Sequence, residues 1–186
     1  MQRTVPYRQA IAIWTGMLCL GLPAAAARAS NEEEYQVLRA FLASPYVEKV
    51  DYSLYDRIGI FFIYNVNHER PDNIAGFFRQ YANTVLDPEM VKGFVAVNHR
   101  PRPVDRRRFP GTLRYSPQYI RKDVYSLSRV GFNARKDEAL MYASFSSLLE
   151  DGHGSLVYLK KTGGAWTVAK ATAVWMYGAS VHPFNP

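Results

Sequence analysis

The sequence predicts an α+β fold in which N-terminal helices pack on a curved antiparallel sheet, as in a cystatin-like or NTF2-like roll. Two observations support this prediction. Apolar residues recur at helical spacing in the first half of the chain, and the last third holds four segments of strand-like alternation joined by short turns. Because consecutive strands with short links pair with their neighbours, we expect the C-terminal third to form a four-strand antiparallel meander.

The N-terminus has the features of a secretory signal peptide. Arg3 and Arg8 form a short basic region that precedes an uncharged, mostly apolar run of thirteen residues. This run is too short to span a bilayer comfortably as a helix, which needs ~20 residues. Ala27 and Ala29 form an A-x-A motif, so cleavage is expected after Ala29, with cleavage after Ala27 as the alternative.

Removal of that leader leaves one domain. The predicted organisation is a signal peptide at 1–29 and a single α+β domain at 30–186, located in the periplasm or outside the cell and without a transmembrane segment. The single cysteine, Cys19, lies in the leader, so no disulfide is expected. Loss of three leader arginines lowers the net charge from +7 to +4, which is too mild to favour nucleic acid as a partner.

Three segments have helical spacing. Ser30 or Asn31 can cap the first helix, which Pro45 should end. Asp72 can cap a second helix, and Asp87 followed by proline can open a third, since proline is tolerated in the first turn. The apolar stripes of these helices are expected to cover the sheet.

Strand-like segments follow a different pattern. The run 57–67 is rich in β-branched and aromatic residues and predicts a strand that is buried on both faces and joins the meander. The meander strands are predicted at 123–133, 139–145, 155–161 and 165–178. In the last of these, simple alternation places Ala169, Ala171 and Ala173 on one face. The opposite face then carries Trp166, Val168 and Val174.

The glycine-rich stretch between the last two strands is interpreted as a hairpin turn. Gly163 and Gly164 separate two alternating apolar segments, where glycines can supply the positive φ angles of a tight turn. A phosphate-binding loop would place its glycines between a strand and the N-terminus of a helix. The following segment has strand periodicity, so a hairpin is favoured over an anion site.

A set of short motifs occupies the same region. S-R-V-G-F-N is followed by A-L-x-Y, G-x-G and G-x-W-x-V, and the chain there resembles a group of small exported bacterial proteins of uncharacterised function. The matching residues are Ser128, Arg129, Val130, Gly131, Phe132, Asn133, Ala139, Leu140, Tyr142, Gly152, Gly154, Gly164, Trp166 and Val168. The resemblance implies export and the C-terminal meander, and it implies no activity.

The segment 98–111 differs from its surroundings and predicts a loop. It carries three prolines and five arginines, the latter being Arg100, Arg102, Arg106, Arg107 and Arg108. Planar guanidinium groups bind carboxylates and phosphates, and prolines lower the ordering cost of such a loop. The favoured function is therefore a non-enzymatic exported protein, structural or binding, that contacts an anionic envelope component or an acidic protein surface through these arginines.

The alternative is a hydrolase-type enzyme with a pocket in the concave face of the sheet. His99 and His153 would act there with Asp51 or Asp56, and the two acids that precede His153 would raise its pKa. No G-x-S-x-G motif and no metal-type histidine spacing occurs, so neither a serine nucleophile nor a metal or other cofactor is expected.

Overall fold

The structure is a computed structural model that describes residues 22–47, 52–59, 69–99, 101–110, 113–117, 123–147 and 152–177, with only the backbone described for 22–30. The chain divides into two compact units, Met1–Glu34 and Tyr35–Pro186. In the first unit, the described residues are helical. In the second, helices accompany a mostly antiparallel sheet, so the α+β class is confirmed.

The described helices are α1 (Leu22–Leu42), α2 (Pro71–Ala82) and α3 (Pro88–Asn98). The predicted start of α1 at Ser30 or Asn31 is wrong. An alanine-rich run precedes these residues and continues the helix towards the N-terminus, because alanine has the highest helix propensity. Within the described residues, no helix is long and apolar enough to cross a membrane.

The two later helices differ in how they begin. The Asp87 carboxylate accepts hydrogen bonds from the backbone N–H groups of Glu89 and Met90 at 2.8 and 3.0 Å, which confirms the predicted cap of α3. The predicted cap of α2 is wrong. Pro71 already occupies the first turn, so Asp72 lies inside the helix, where its charge still suits the positive end of the helix dipole.

Among the described residues, seven strands form one sheet. They are β1 (Ser53–Tyr55), β4 (Arg114–Ser116), β5 (Val124–Leu127), β6 (Gly131–Phe132), β7 (Glu138–Ser146), β8 (Gly152–Thr162) and β9 (Ala165–Tyr177). The order across the sheet is β4-β1-β5-β7-β8-β9, and β6 also pairs with β7. β1 is parallel to both β4 and β5, whereas the other pairings are antiparallel.

Apolar clusters lie on both faces of this sheet. On one face, Tyr35, Leu38 and Phe41 of α1 join residues of β5, β7, β8 and β9. On the other face, buried residues of α2 and α3, including Phe78 and Phe94, pack on the remaining side chains of β7, β8 and β9. β7 and most of β8 therefore alternate between two cores, whereas β9 keeps several side chains exposed to solvent.

The predicted strand 123–133 is interrupted. β5 ends at Leu127, and the pairing with β7 resumes only at Gly131. In the gap, the Asn98 side chain accepts from Arg129 N at 2.8 Å and donates to Arg129 O at 3.0 Å, so α3 supplies hydrogen bonds that a strand would otherwise provide. Gly131 lets the helix come close, because a Cβ there would lie 2.5 Å from Phe94 Cβ.

β9 has two register shifts against β8, near Tyr158 and near Ser155. The first leaves Ala169 without a partner, so Ala171 falls on the same face as Val168. The same inversion places Val174 in the opposite core, and the second shift then brings Trp175 to the same side as Val174. The predicted division of β9 into an alanine face and a Trp166–Val168–Val174 face is therefore wrong, since each inserted residue inverts the alternation that follows.

The hairpin interpretation is confirmed. Gly163 and Gly164 have φ angles of +60° and +85° and connect β8 directly to β9. Of the predicted strand 57–67, Arg57–Ile58 forms β2, which pairs with β3 (Arg102–Pro103) in a separate two-stranded sheet. Residues 60–68 lie outside the described residues.

Candidate functional site

The arginine-rich segment 98–111, predicted as a loop, contains two short elements of regular structure. Its first part is β3, and Arg106–Arg108 form a single 3-10 turn. The Asp105 carboxylate caps this turn by accepting from Arg107 N at 3.3 Å. The prolines and charges that disfavour a helix still allow one tight turn, which explains why sequence periodicity missed it. Arg100 lies outside the described residues.

Tyr35 of α1 anchors the segment to the core. Its hydroxyl accepts a 2.7 Å hydrogen bond from Asp105 N, and its side chain is completely buried. The guanidinium carbons of Arg102 and Arg108 lie 5.5 and 5.4 Å from the Tyr35 ring centroid. Phe109 contacts the same ring edge-on, with centroids 5.3 Å apart. Arg102 and Arg108 therefore pack against the core by cation–π contacts.

α1 contributes a second attachment. The Arg39 guanidinium donates a 2.8 Å hydrogen bond to the carbonyl oxygen of Arg108, at the end of the 3-10 turn. The turn is thus fixed at both ends, at Asp105 by Tyr35 and at Arg108 by Arg39. No sequence pattern indicates these contacts, because the partners are about seventy positions apart.

Arg107 projects into solvent and pairs locally. Its side chain is 90% exposed, and it donates to both oxygens of Asp105, at 3.0 and 3.2 Å. The Arg107 hydrogen bond is the main cause of the lowered pKa of the Asp105 carboxyl. Water screens an ion pair at the surface, so the pair contributes little to stability and Arg107 can exchange this partner for another anion.

Arg106 is held in a different way. Its guanidinium carbon lies 4.8 Å from the centroid of the Tyr115 ring, and the residue is exposed. No carboxylate of the described residues pairs with it. The Tyr115 hydroxyl is buried without a hydrogen-bond partner among the described residues, and burial raises its pKa. Stacking leaves the N–H edges of the guanidinium of Arg106 available to a ligand.

The two candidate histidines lie on opposite faces of the sheet. His99 is an exposed residue that ends α3. His153 of β8 contacts the rings of Phe145 and Tyr125 in the core on the α1 side, with centroids 5.8 and 6.5 Å away. Among the described residues, they form no common pocket.

The expected electrostatics of His153 are also wrong. Burial against aromatic rings lowers the pKa of His153, whereas neighbouring acids were expected to raise it. The backbone of Asp56 forms hydrogen bonds with the backbone of Ser116 and of Val104. Asp51 lies outside the described residues. Within the described part of the chain, no cluster of three histidine, cysteine or carboxylate residues could hold a metal.

The motif residues have structural roles. Ser128 Oγ accepts from Tyr142 N at 2.7 Å at the point where β5 ends. Asn133 Oδ1 accepts from the backbone N–H groups of Asp137 and Glu138 at 3.1 and 3.2 Å, which closes the turn into β7. Ser128, Gly131 and Asn133 of the S-R-V-G-F-N run therefore have roles in folding.

Comparisons with known proteins reveal no relative. No protein-family model matches the chain, and no curated protein and no solved structure matches it significantly. Function must therefore be inferred from the geometry of the side chains themselves.

Proposed function

We propose that the protein is an exported, non-enzymatic binding protein whose Arg106 and Arg107 contact an anionic partner. The observation that carries this proposal is the exposed Arg106 guanidinium, which stacks on Tyr115 and pairs with no carboxylate of the described residues. Arg107 lies beside it and pairs only with the half-buried neighbouring acid Asp105. Two adjacent guanidinium groups suit a phosphate or carboxylate group.

The rigid attachment of the turn supports binding. Tyr35 and Arg39 fix the backbone of the segment, so little conformational entropy is lost when a ligand binds. Arg102 and Arg108, which were also candidates, support the turn from the core side. We assign direct contact to Arg106 and Arg107, and positioning to Arg102 and Arg108.

The setting of this site is part of the proposal. We propose cleavage of a signal peptide at 1–29, a single domain at 30–186, and a location in the periplasm or outside the cell. The anion would then belong to an envelope component, such as a lipid head group, or to an acidic protein surface. We further propose a roll of the cystatin or NTF2 type with a C-terminal meander, and membership of the group of exported proteins that shares the C-terminal motifs.

The test is retention of purified protein on two anionic supports, phosphatidylglycerol vesicles and a polyglutamate resin, with phosphatidylcholine vesicles as the neutral reference. The double variant Arg106→Ser, Arg107→Ser should bind about tenfold more weakly, because it loses two charge-assisted contacts. Binding of the wild type should also weaken between about 50 and about 300 mM salt.

A matched control exists on another surface. Arg135 is 79% exposed and pairs with Asp137 at 3.1 Å, much as Arg107 pairs with Asp105. The double variant Arg135→Ser, Lys136→Ser removes the same charge and should bind like the wild type. Equal losses in both double variants would show a net-charge effect, and no binding to either support, or no loss in the Arg106–Arg107 variant, would refute the proposal.

A further inference from the structure

The end of the sheet opposite the β8–β9 hairpin carries an aromatic pair on β9. Trp175 and Tyr177 are register partners of Gly154 and Gly152 on β8. A Cβ at position 154 would lie 2.2 Å from Trp175 Nε1, and one at position 152 would lie 2.7 Å from Tyr177 Cζ. The G-x-G motif therefore provides the space that these two rings occupy above β8.

The two rings are fixed relative to each other. They are parallel to within 10°, with centroids 5.4 Å apart. The Trp175 indole N–H donates a 2.7 Å hydrogen bond to the hydroxyl of Tyr142, which holds the ring in one orientation. A ligand that stacks on these rings would not have to order them first.

The strand residues in register with the pair are uncharged. Residues directly opposite one another in antiparallel strands share a face, so two rows run across the sheet here. The rows are Ser126–Ser144–Gly154–Trp175 and Val124–Ser146–Gly152–Tyr177. They contain small residues, hydroxyl groups and aromatic rings, and no charged side chain.

Tyr177 makes the pair accessible. It is 47% exposed, and its hydroxyl lies 3.5 Å from Ser146 Oγ, so a ligand would meet an aromatic ring beside two groups that donate and accept hydrogen bonds. A sugar ring matches this surface, because its C–H face is apolar and its rim carries hydroxyl groups. Stacked nucleic-acid bases would need basic side chains for the phosphates, and these rows carry none.

We propose that Trp175 and Tyr177 form a binding platform for a neutral pyranose unit of a polysaccharide. The sugar would stack on the exposed aromatic surface, and its hydroxyl groups would exchange hydrogen bonds with Tyr177 and Ser146. This site is independent of the arginine site, since Tyr177 lies on β9 and Tyr115 lies on β4, the strands at the two ends of the sheet order.

The test is binding of the purified protein to an array of neutral oligosaccharides, followed by titration calorimetry with the best neutral glycan. The variant Tyr177→Ala should lose about tenfold or more in affinity, because truncation of an aromatic anchor typically removes most of its contact. Tyr81→Ala is the matched control, since Tyr81 is 61% exposed on α2 and should have no effect.

Two further variants test the role of the Trp175 hydrogen bond and the independence of the sugar site from the arginine site. Trp175→Phe keeps a ring but removes the hydrogen bond to Tyr142, so it should weaken binding less than Tyr177→Ala while its circular dichroism confirms folding. The Arg106→Ser, Arg107→Ser variant should retain full sugar affinity, and that affinity should not depend on salt. Failure to bind any neutral glycan, or unchanged affinity in Tyr177→Ala, would overturn the proposal.

Discussion

The indole nitrogen of Trp175 donates a 2.7 Å hydrogen bond to the hydroxyl of Tyr142, and the two groups meet above Gly154. A Cβ at position 154 would lie 2.2 Å from that nitrogen and 2.3 Å from that hydroxyl. The requirement for glycine here is therefore one of space between three strands. It differs from the requirement at Gly163 and Gly164, which is one of positive φ.

Replacement of Gly154 should consequently destabilise the fold. Gly154→Ala forces Trp175 and Tyr142 apart and should lower the free energy of unfolding by about 1–3 kcal/mol, the usual cost of overpacking. Chemical denaturation followed by circular dichroism measures this change. Gly76→Ala is the control, because nothing lies within 4 Å of a Cβ at that position in α2, and alanine should stabilise the helix by about 0.5–1 kcal/mol. Equal effects of the two substitutions would contradict this explanation.

A pair of tyrosines allows a sharp test of the anchor beneath the arginine-rich turn. Tyr35→Phe removes the acceptor of Asp105 N, so we expect a loss of about 1–3 kcal/mol in unfolding free energy. Tyr115→Phe removes a buried hydroxyl that has no partner among the described residues, and it should be neutral or stabilising. Thermal melts of both variants suffice, and a larger loss in Tyr115→Phe would show that the hydrogen-bond assignment is mistaken.

Two buried serines should respond differently to replacement by alanine. Ser128 Oγ accepts from Tyr142 N, so Ser128→Ala removes an acceptor where β5 ends and should cost about 1–3 kcal/mol. Ser155 is 2% exposed, and its Oγ has no hydrogen-bond partner among the described residues. Ser155→Ala should therefore be neutral or stabilise the protein. Urea unfolding at one pH measures the free energy of unfolding of both variants. Similar losses in the two variants would contradict these hydrogen-bond assignments.

These pairs also show what the sequence could predict. The helix cap at Asp87, the strands 139–145 and 155–161, and the hairpin at Gly163 and Gly164 depend on neighbouring residues, and all of them are present. Local signals such as capping and alternation survive folding because the interactions that cause them are local.

What the sequence missed depends on distant contacts. The interruption after Leu127 arises because Asn98 of α3 takes over the hydrogen bonds of Arg129, thirty-one positions away. The bulge at Ala169 inverts the faces of β9, and alternation alone cannot reveal an inserted residue. The candidate site follows the same rule: arginine content indicated the segment, but Tyr35 and Tyr115 decide which guanidinium groups face solvent.

His153 gives the last prediction, a dependence of stability on pH. Its unperturbed pKa is 6.5, and burial against Phe145 and Tyr125 lowers the pKa in the folded protein. Above pH 6.5 both states are neutral at this residue, and its full contribution to stability is present. As the pH falls below 6.5 the unfolded chain binds the proton first, so the free energy of unfolding decreases until the folded state is also protonated.

The variant His153→Phe should flatten this part of the profile. Phenylalanine can pack in the aromatic cluster but does not titrate. The free energy of unfolding of the wild type should therefore fall relative to that of the variant as the pH is lowered from about 7 to about 5. Denaturation curves at several pH values give the difference in unfolding free energy between the two proteins. A packing cost of the substitution that is the same at every pH does not affect how this difference changes with pH. Parallel profiles for the two proteins would mean that His153 binds its proton equally well in the folded and unfolded chains, which would contradict its burial among the rings of β5 and β7.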